Sequence, residues 1–504
     1  MQALAAGIPL AAILAAMLGL RWSAARAGLV GLVLALAVAL LAFGYGRAIL
    51  PELGPGRAVG FALLEAAFTA GTIVWIVFPA LCIYEAQERS GAFAAIRDAL
   101  SRVSDAPRVL ALLVAFFFGL FMEGAAGFGT PVALAAPLLV SLGFSPLKAV
   151  ALALIGHSAG VSFGAIGTPI LAQAEITGVP ASEIAARTGL YHALIGALLV
   201  VILVRLAEDA PLRRADLGLA LLAAACFFAP ALLLATFVGP ELPTLGGAVV
   251  GVGLFVLALR VASKRTARVD AAPLSARALA AASLPYLVVV ALVLLTRLVP
   301  PLQEALRSVA VAWSLEGGFS GRFEALYHPG TILMLGFVGG VLAQGGSLGA
   351  IGGAMARAGR RLAPVVVALL AMLAIARLMV HAGMIDALAE AAAGIGPLWP
   401  LVAPAVGVLG TFVTGSATAS NILLSEFQGQ TARALGLAST PLLAAQSFGA
   451  AVGNIVAPHN IVAGGATVGL TGREGPILRL TAPACALYTL LGGLLVLALV
   501  GWRP

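Results

Sequence analysis

Along most of the chain, long apolar runs alternate with short joints rich in Arg, Gly and Pro. Runs at 27–44, 190–206, 217–238, 281–299, 331–343 with its flanks, 363–380 and 477–500 approach or reach the roughly 20 residues that a bilayer-crossing helix needs. They do not alternate apolar and polar positions over about ten residues, as the strands of a membrane β-barrel would. The pattern therefore predicts an all-α polytopic membrane protein with about twelve transmembrane helices. Segment 1–20 is apolar but has no basic stretch before it, and Arg21 and Arg26 follow it; this predicts a retained first helix rather than a signal peptide.

Two regions interrupt the pattern in a matched way. The apolar stretch 109–148 is cut halfway by Glu123-Gly-Ala-Ala-Gly-Phe-Gly-Thr-Pro131, and 400–437 is cut by Thr414-Gly-Ser-Ala-Thr-Ala-Ser-Asn421. Arms of about 15 residues give about 22 Å of helix against a hydrocarbon core of about 30 Å, which predicts two re-entrant hairpins. Each is followed by a helix broken in the middle, at 149–172 and 440–470. The breaks read Ser158-Ala-Gly-Val-Ser-Phe-Gly-Ala-Ile-Gly-Thr-Pro169 and Ser447-Phe-Gly-Ala-Ala-Val-Gly-Asn-Ile-Val-Ala-Pro458. Both fit S-x-G-x3-G-x-I-x2-P, the second 289 residues after the first. Gly119, Phe121 and Gly124 correspond likewise to Gly410, Phe412 and Gly415. Matched Gly/Pro interruptions in two halves point to a transporter's binding site, although small residues can also simply let helices pack closely. The expected division is repeat 1 at 27–206, linking helices at 207–327 and repeat 2 at 328–501.

Composition changes the picture only by excluding alternatives. The 504 residues are 61% hydrophobic and 10% charged, with mean hydropathy +1.08. Soluble domains carry about 25% charged residues. The net charge of +8 sits in inter-helix loops and forms no stripe for nucleic acid. Positive loops face the cytoplasm. Arg260, Lys264, Arg265, Arg268 and Arg277 belong there, as do 205–214 and Arg357, Arg360 and Arg361. Stretch 382–400 holds Asp386 and Glu390 without Lys or Arg and faces outward. This threading puts both termini outside and makes the hairpins enter from opposite sides, so the halves are inverted. Cys82, Cys226 and Cys485 give neither a disulfide framework nor metal spacing.

Charge within a bilayer is expensive and usually functional. Glu123, at the first hairpin tip, is the leading proton-coupling candidate, followed by Glu65 inside an apolar helix and by His459. Arg377 lies about 21 Å into its helix from Ala363. Its guanidinium fork matches a carboxylate, but it can equally snorkel outward or pair with Glu123. His157 and His459 flank the breaks and can relay protons. Gly124, Gly127, Gly129, Thr130, Gly164, Thr168, Ser416, Ser420, Asn421, Asn454 and Asn460 complete the expected substrate site. Half-helix N-termini there offer positive ends to an anion, while the same side chains can satisfy broken backbone.

At these residues the sequence resembles the lactate permease family. The resemblance rests on Phe121-Met-Glu-Gly-Ala-Ala-Gly-Phe-Gly-Thr-Pro-Val-Ala133, Phe163-Gly-Ala-Ile-Gly-Thr-Pro169, Thr414-Gly-Ser, Ser420-Asn421 and Val468-Gly-Leu-Thr-Gly-Arg-Glu-Gly475. Glu65, the Trp75-Ile-Val-Phe run and Ser90-Gly-Ala-Phe93 extend it, so that it covers 65–481. It implies an elevator-like carrier with inverted hairpin repeats in a bacterial inner membrane. The cargo it implies is a small 2-hydroxy monocarboxylate such as lactate or glycolate, moved with a proton. Two positions depart from the family pattern: Ala417 replaces an acidic residue in the second tip, and His459-Asn460 replaces a Gln-Asn-like pair. Na⁺ coupling is the alternative within transporters, and an anion channel lies outside them. No nucleophile–base pair, metal set or cofactor constellation marks an enzyme. Oligomeric state stays open, a homodimer included.

Overall fold

The computed structural model describes residues 2–18, 20, 22–93, 103–127, 129–263, 276–470 and 473–500. Lys264, Arg265 and Arg268 of the basic loop, Arg21, and Phe128, Thr471 and Gly472 of the motifs above lie outside the described residues. The chain is a multi-pass helical membrane protein. Among the described residues, seven helices are long and apolar enough to cross a membrane, or ten if each of three bent helix pairs is one span. Four further apolar helices, including Thr130–Ser141 and Pro329–Ala343, are shorter.

Among the described residues, two short strands depart from helix. Ala310–Ser314 pairs antiparallel with Ser320–Glu324, in register from Ala310 opposite Glu324 to Ser314 opposite Ser320. Gly317 and Gly318, at φ 78° and 82°, make the turn that side chains with a Cβ resist. Phe319 beside that turn is fully buried, against Phe61 and His381. The linking region 207–327 thus contains a β-hairpin as well as helices.

Burial sorts the helices into two groups. The apolar windows of Pro107–Ala125 and Pro146–Thr177 are 100% buried, while those of Arg214–Phe237 and Glu474–Leu499 are 39% and 33% buried. The outer helices present large apolar side chains such as Leu221, Leu233, Leu490 and Leu494 to the surroundings. Water would penalise such a face; lipid accepts it. The interrupted helices of the first half are the ones at the centre, while the window at Gly396–Thr414 in the second half is 44% buried.

The first helical hairpin runs through Pro107–Ala125, with a π-helical stretch at Leu112–Phe118, turns, and returns as Thr130–Ser141. Its two feet lie together. Arg108 pairs with Glu208 at 3.2 Å and with Asp216, and Lys148 just beyond the hairpin pairs with Asp209 at 2.6 Å. The Lys148 ammonium holds the exposed Asp209 carboxyl below the usual carboxylate range. The second hairpin is Trp399–Thr414 and Ala417–Ala434.

The first broken helix is Pro146–His157, a 3-10 stretch Ser158–Phe163, and Gly164–Thr177; the second is Ser439–Gly453 and Pro458–Thr467. They run antiparallel. Ser162 Oγ donates to the Ser447 carbonyl (3.0 Å) and Gln173 Nε2 to the Leu443 carbonyl (2.9 Å), while Thr440 Oγ1 meets Glu183 (3.3 Å) on Ala181–Ile195, just past the end of the first broken helix. Chain numbers rise on one side as they fall on the other. The foot of the second hairpin therefore lies at the far end of the first broken helix, away from the feet of the first hairpin.

Candidate functional site

Both breaks follow one local grammar. Pro458 begins the second half of the second broken helix, where its missing N–H costs nothing. Pro169 plays the same part, because Ala165, Ile166 and Gly167 leave helical geometry at φ 43°, 56° and 81° just before it. A left-handed β-branched Ile is a real outlier, of the sort that costs about 1–3 kcal/mol and clusters at functional sites. The carbonyls released by the first break and tip are taken up by hydroxyls. Thr168 donates to Ala165 O (2.6 Å), Thr244 to Gly160 O (2.6 Å) and Thr130 to Gly127 O (2.7 Å). Thr130 and Thr168 thus satisfy backbone, one of the two roles expected of them.

The two hairpin tips meet at neighbouring residues. A Cβ on Gly129 would lie 3.4 Å from Asn460 Oδ1, and one on Gly415 would lie 2.9 Å from His459 Cβ. Gly129 and Gly415 have φ of 79° and 72°, so a side chain is excluded by conformation too. Gly129 caps the N-terminus of Thr130–Ser141, and Ser416 caps Ala417–Ala434 by accepting from Ala419 N (3.3 Å). His459 and Asn460 themselves stand in the first turn of Pro458–Thr467. Three helix N-termini, with their positive ends, thus gather around residues 459 and 460. Asn460 Nδ2 donates to Asn454 Oδ1 (2.5 Å), while His459 is exposed.

Glu123 and His157 sit at the first break, both at most 5% exposed. Glu123 Oε2 lies 3.8 Å from His157 Nε2. The other carboxylate oxygen presses on Gly164, where any Cβ would collide with it, and lies 3.3 Å from the position of a Cβ on Gly127. Gly124 lets the same helix approach the Leu245 backbone, 2.5 Å from where its Cβ would be. His157 Nδ1 is 2.6 Å from the Ala153 carbonyl, which can only accept. Nδ1 therefore carries a hydrogen and the neutral ring turns a bare Nε2 toward Glu123. At 3.8 Å the two groups face each other without a hydrogen bond, and either can carry a proton.

The remaining expected residues lie elsewhere. Arg377 is 4.0 Å from Glu65, with its guanidinium 3.5 Å from the carbonyls of Glu175 and Ile176. Those carbonyls end the first broken helix, about 14 Å along it from Gly167. Glu65 is held more closely by His381, at 2.6 Å. His381 was not expected, yet it lies four residues after Arg377 on the same helix face, and that spacing could have found it. Ser420 is fully buried, donating to Gly407 O (3.0 Å) and accepting from Gln446 (3.1 Å). Asn421 donates to Pro169 O (3.1 Å). Gln446, Gln428, Gln173 and His192 are also buried and hydrogen-bonded between elements. Isolated polar residues in apolar windows carry no spacing signal, and the sequence reading missed them.

A helical membrane protein whose central helices break at a shared polar point shares its fold with solved membrane proteins. The chain is similar to the YdaH transporter of Alcanivorax borkumensis (TM-score 0.56, 17% identity, 94% of this chain and 98% of that one). It is equally similar to MtrF of Neisseria gonorrhoeae, described as one of a class of antimetabolite efflux pumps (TM-score 0.56, 16% identity, 95% and 96%). The chain belongs to the L-lactate permease family, which matches residues 2–501. It is 29% identical to the glycolate permease GlcA of Escherichia coli K12, over 99% of this chain and 95% of the relative. Its identity to the L-lactate permease of Streptococcus iniae is also 29%, over 86% and 92%, and to that of Bacillus subtilis 29%, over 95% and 92%.

Proposed function

We propose that the chain imports a small 2-hydroxy monocarboxylate of the lactate or glycolate type across a bacterial inner membrane, together with a proton. One observation carries the reading: three helix N-termini converge on His459 and Asn460 from both hairpin tips and the second break. Positive helix ends suit a carboxylate, and Asn454, Asn460 and Ser416 suit a hydroxyl beside it. Relatives named for lactate and glycolate support the substrate class. The hairpins are read as re-entrant and the two halves as an inverted repeat that moves elevator-like. Their feet lie at opposite ends of the broken helices while their tips meet, and full crossings from opposite faces would leave the tips about 30 Å apart.

Glu123 with His157 is the proton site in this reading. One proton on the pair travels with one anion, which lowers the net charge carried through the apolar core. Arg377 is assigned to holding Glu65 and the end of the first broken helix rather than the substrate. Na⁺ coupling is kept as a second reading on a specific observation. Asn421 Oδ1 and Gln173 Oε1 are buried without a donor, and both amides are oriented by carbonyls on their nitrogen side.

Uptake of labelled lactate and glycolate into proteoliposomes, with ΔpH and ΔNa⁺ imposed separately, tests all of this. Saturable accumulation under ΔpH alone is the expected result. Accumulation under ΔNa⁺ alone would move the coupling to the amide oxygens. An unsaturating flux would favour a channel, and no uptake of either acid would end the substrate assignment.

A further inference from the structure

Ser162 lies inside the first break, and its hydroxyl is 3.0 Å from both the Ser447 carbonyl and His192 Nε2. On the other side of the ring, His192 Nδ1 is 3.0 Å from the Tyr488 hydroxyl. All four residues are at most 2% exposed, so their polar atoms face one another rather than bulk solvent. Phe448 lies against the imidazole, with ring centroids 4.7 Å apart. Three gaps have to be filled by the protons of Tyr488, His192 and Ser162. A carbonyl cannot donate, so the gap at Ser447 takes the Ser162 proton. That leaves Ser162 Oγ to accept from His192 Nε2, and His192 Nδ1 to accept from Tyr488. Run the other way, the chain would leave two oxygens facing each other at Ser447 and the Tyr488 proton unused. Only one direction puts a proton in every gap.

We propose that His192 is a positioning residue for transport, acting as the neutral Nε2–H tautomer. Through Ser162 it ties the first break to the second broken helix at their crossing. The tie reaches both sides of the site. Ser162 is two residues from Gly164, whose backbone is the wall behind the Glu123 carboxylate, and Ser447 Oγ accepts from Asn421 of the second hairpin at 3.5 Å. Tyr488, on Glu474–Leu499, anchors the chain to an outer helix. His192 thus has the opposite tautomer to His157, whose Nδ1–H is fixed by the Ala153 carbonyl. The inference rests on the transport reading for its consequence but not for its chemistry.

The protein has five histidines, so ¹⁵N-histidine labelling of the full-length protein in lipid resolves the tautomers, with His192 assigned by the signal lost in His192→Gln. An Nε2–H signal for His192 and an Nδ1–H signal for His157 are expected. A charged or Nδ1–H His192 would overturn the proposal. The second measurement is lactate exchange per folded transporter. His192→Gln keeps a donor near the Nε2 position and is expected to stay within about twofold of the wild-type KM, while His192→Asn and Ser162→Ala, which lose the buried bond, raise KM about tenfold with the protein still folded. Equal KM values for the Gln and Asn variants would sink the positioning role, since a purely structural His192 would lower yield without separating them. If the wild type exchanges no lactate, the transport reading fails and the tautomer spectrum still decides the chain.

Discussion

The two breaks obey the same S-x-G-x3-G-x-I-x2-P pattern and carry different chemistry. The first is fully buried, bends through two left-handed non-glycine residues, Ala165 and Ile166, and faces an acid–base pair, Glu123 and His157. The second, at 454–457, makes its turn without a positive φ; it is lined by the neutral amides of Asn454 and Asn460, and His459 beside it is exposed. Ile455 occupies the position of Ile166 and has ordinary backbone. The repeated small residues set where a helix may stop. What each interruption does is decided by the side chain the other elements bring to it. Strain and a buried ionisable pair coincide in the first half, the combination expected where a proton is handled. Neutral buried amides, one exposed histidine and converging helix ends coincide in the second, the combination expected where an anion is held.

Breaking the first half should have the largest effect. Glu123→Gln mimics the protonated carrier, so exchange of internal for external substrate survives while ΔpH-driven accumulation is abolished. Retained accumulation in that variant would remove Glu123 from the coupling and redirect attention to Glu65 or His459. Equivalent glycines then separate the halves. Gly164→Ala puts a methyl where the Glu123 carboxylate lies, and the flexible acid must move; uptake under ΔpH is expected to fall with little loss of thermal stability. Gly453→Ala instead meets Val408 O and Thr411 Cβ, each 2.8 Å away, so rigid backbone must yield and the variant should lose about 1–3 kcal/mol of stability. Melting curves and ΔpH-driven uptake measured on both variants give the contrast. Two similar profiles would show that the breaks differ less than their side chains suggest.

Much of this arrangement is legible in the sequence because it is written in short-range spacing. Gly and Pro in Glu123–Pro131 and in the two S-x-G patterns mark where helix cannot continue, and apolar length marks where it must. The hairpins read at 109–148 and 400–437 stand beside helix–turn–helix segments ending at Ser141 and Ala434. What is not legible depends on distance in the chain. Ser162 finds His192 thirty residues away, and His192 finds Tyr488 across 296. Arg377 shows the same limit from the other side. Its charge and depth point to a carboxylate ligand, and nothing local announces that Glu65, 312 residues earlier in the chain, lies 4.0 Å from it. The β-hairpin was lost among helices because its strands are five residues each and one face of each is exposed.

Arg377 offers a smaller test, outside either break. With its guanidinium against the carbonyls of Glu175 and Ile176, removal should disturb the end of the first broken helix rather than substrate affinity. Arg377→Ala is expected to lower Vmax roughly tenfold, equivalent to about 1.4 kcal/mol, with KM nearly unchanged. A large rise in KM that Arg377→Lys fails to repair would instead make the bidentate fork a substrate ligand.

The smallest expected effect sharpens the comparison most directly, because it adds charge to the neutral half. Ala417 is the first residue of Ala417–Ala434, buried directly after the N-cap Ser416. An acidic residue there would sit at the positive end of the helix, where a carboxylate gains about 0.3–1 kcal/mol. That is the same positive end proposed to receive the substrate anion, so Ala417→Asp should compete with cargo. The corresponding rise in KM is about two- to fivefold, with thermal stability unchanged or slightly higher because the helix end is better satisfied. Proton coupling should remain with Glu123, so the Ala417→Asp, Glu123→Gln double variant should still fail to accumulate substrate under ΔpH. Accumulation restored in the double variant would mean that an acid in either tip can serve the proton. The division between an ionisable first half and a neutral second half would then be a matter of which residues happen to occupy equivalent places.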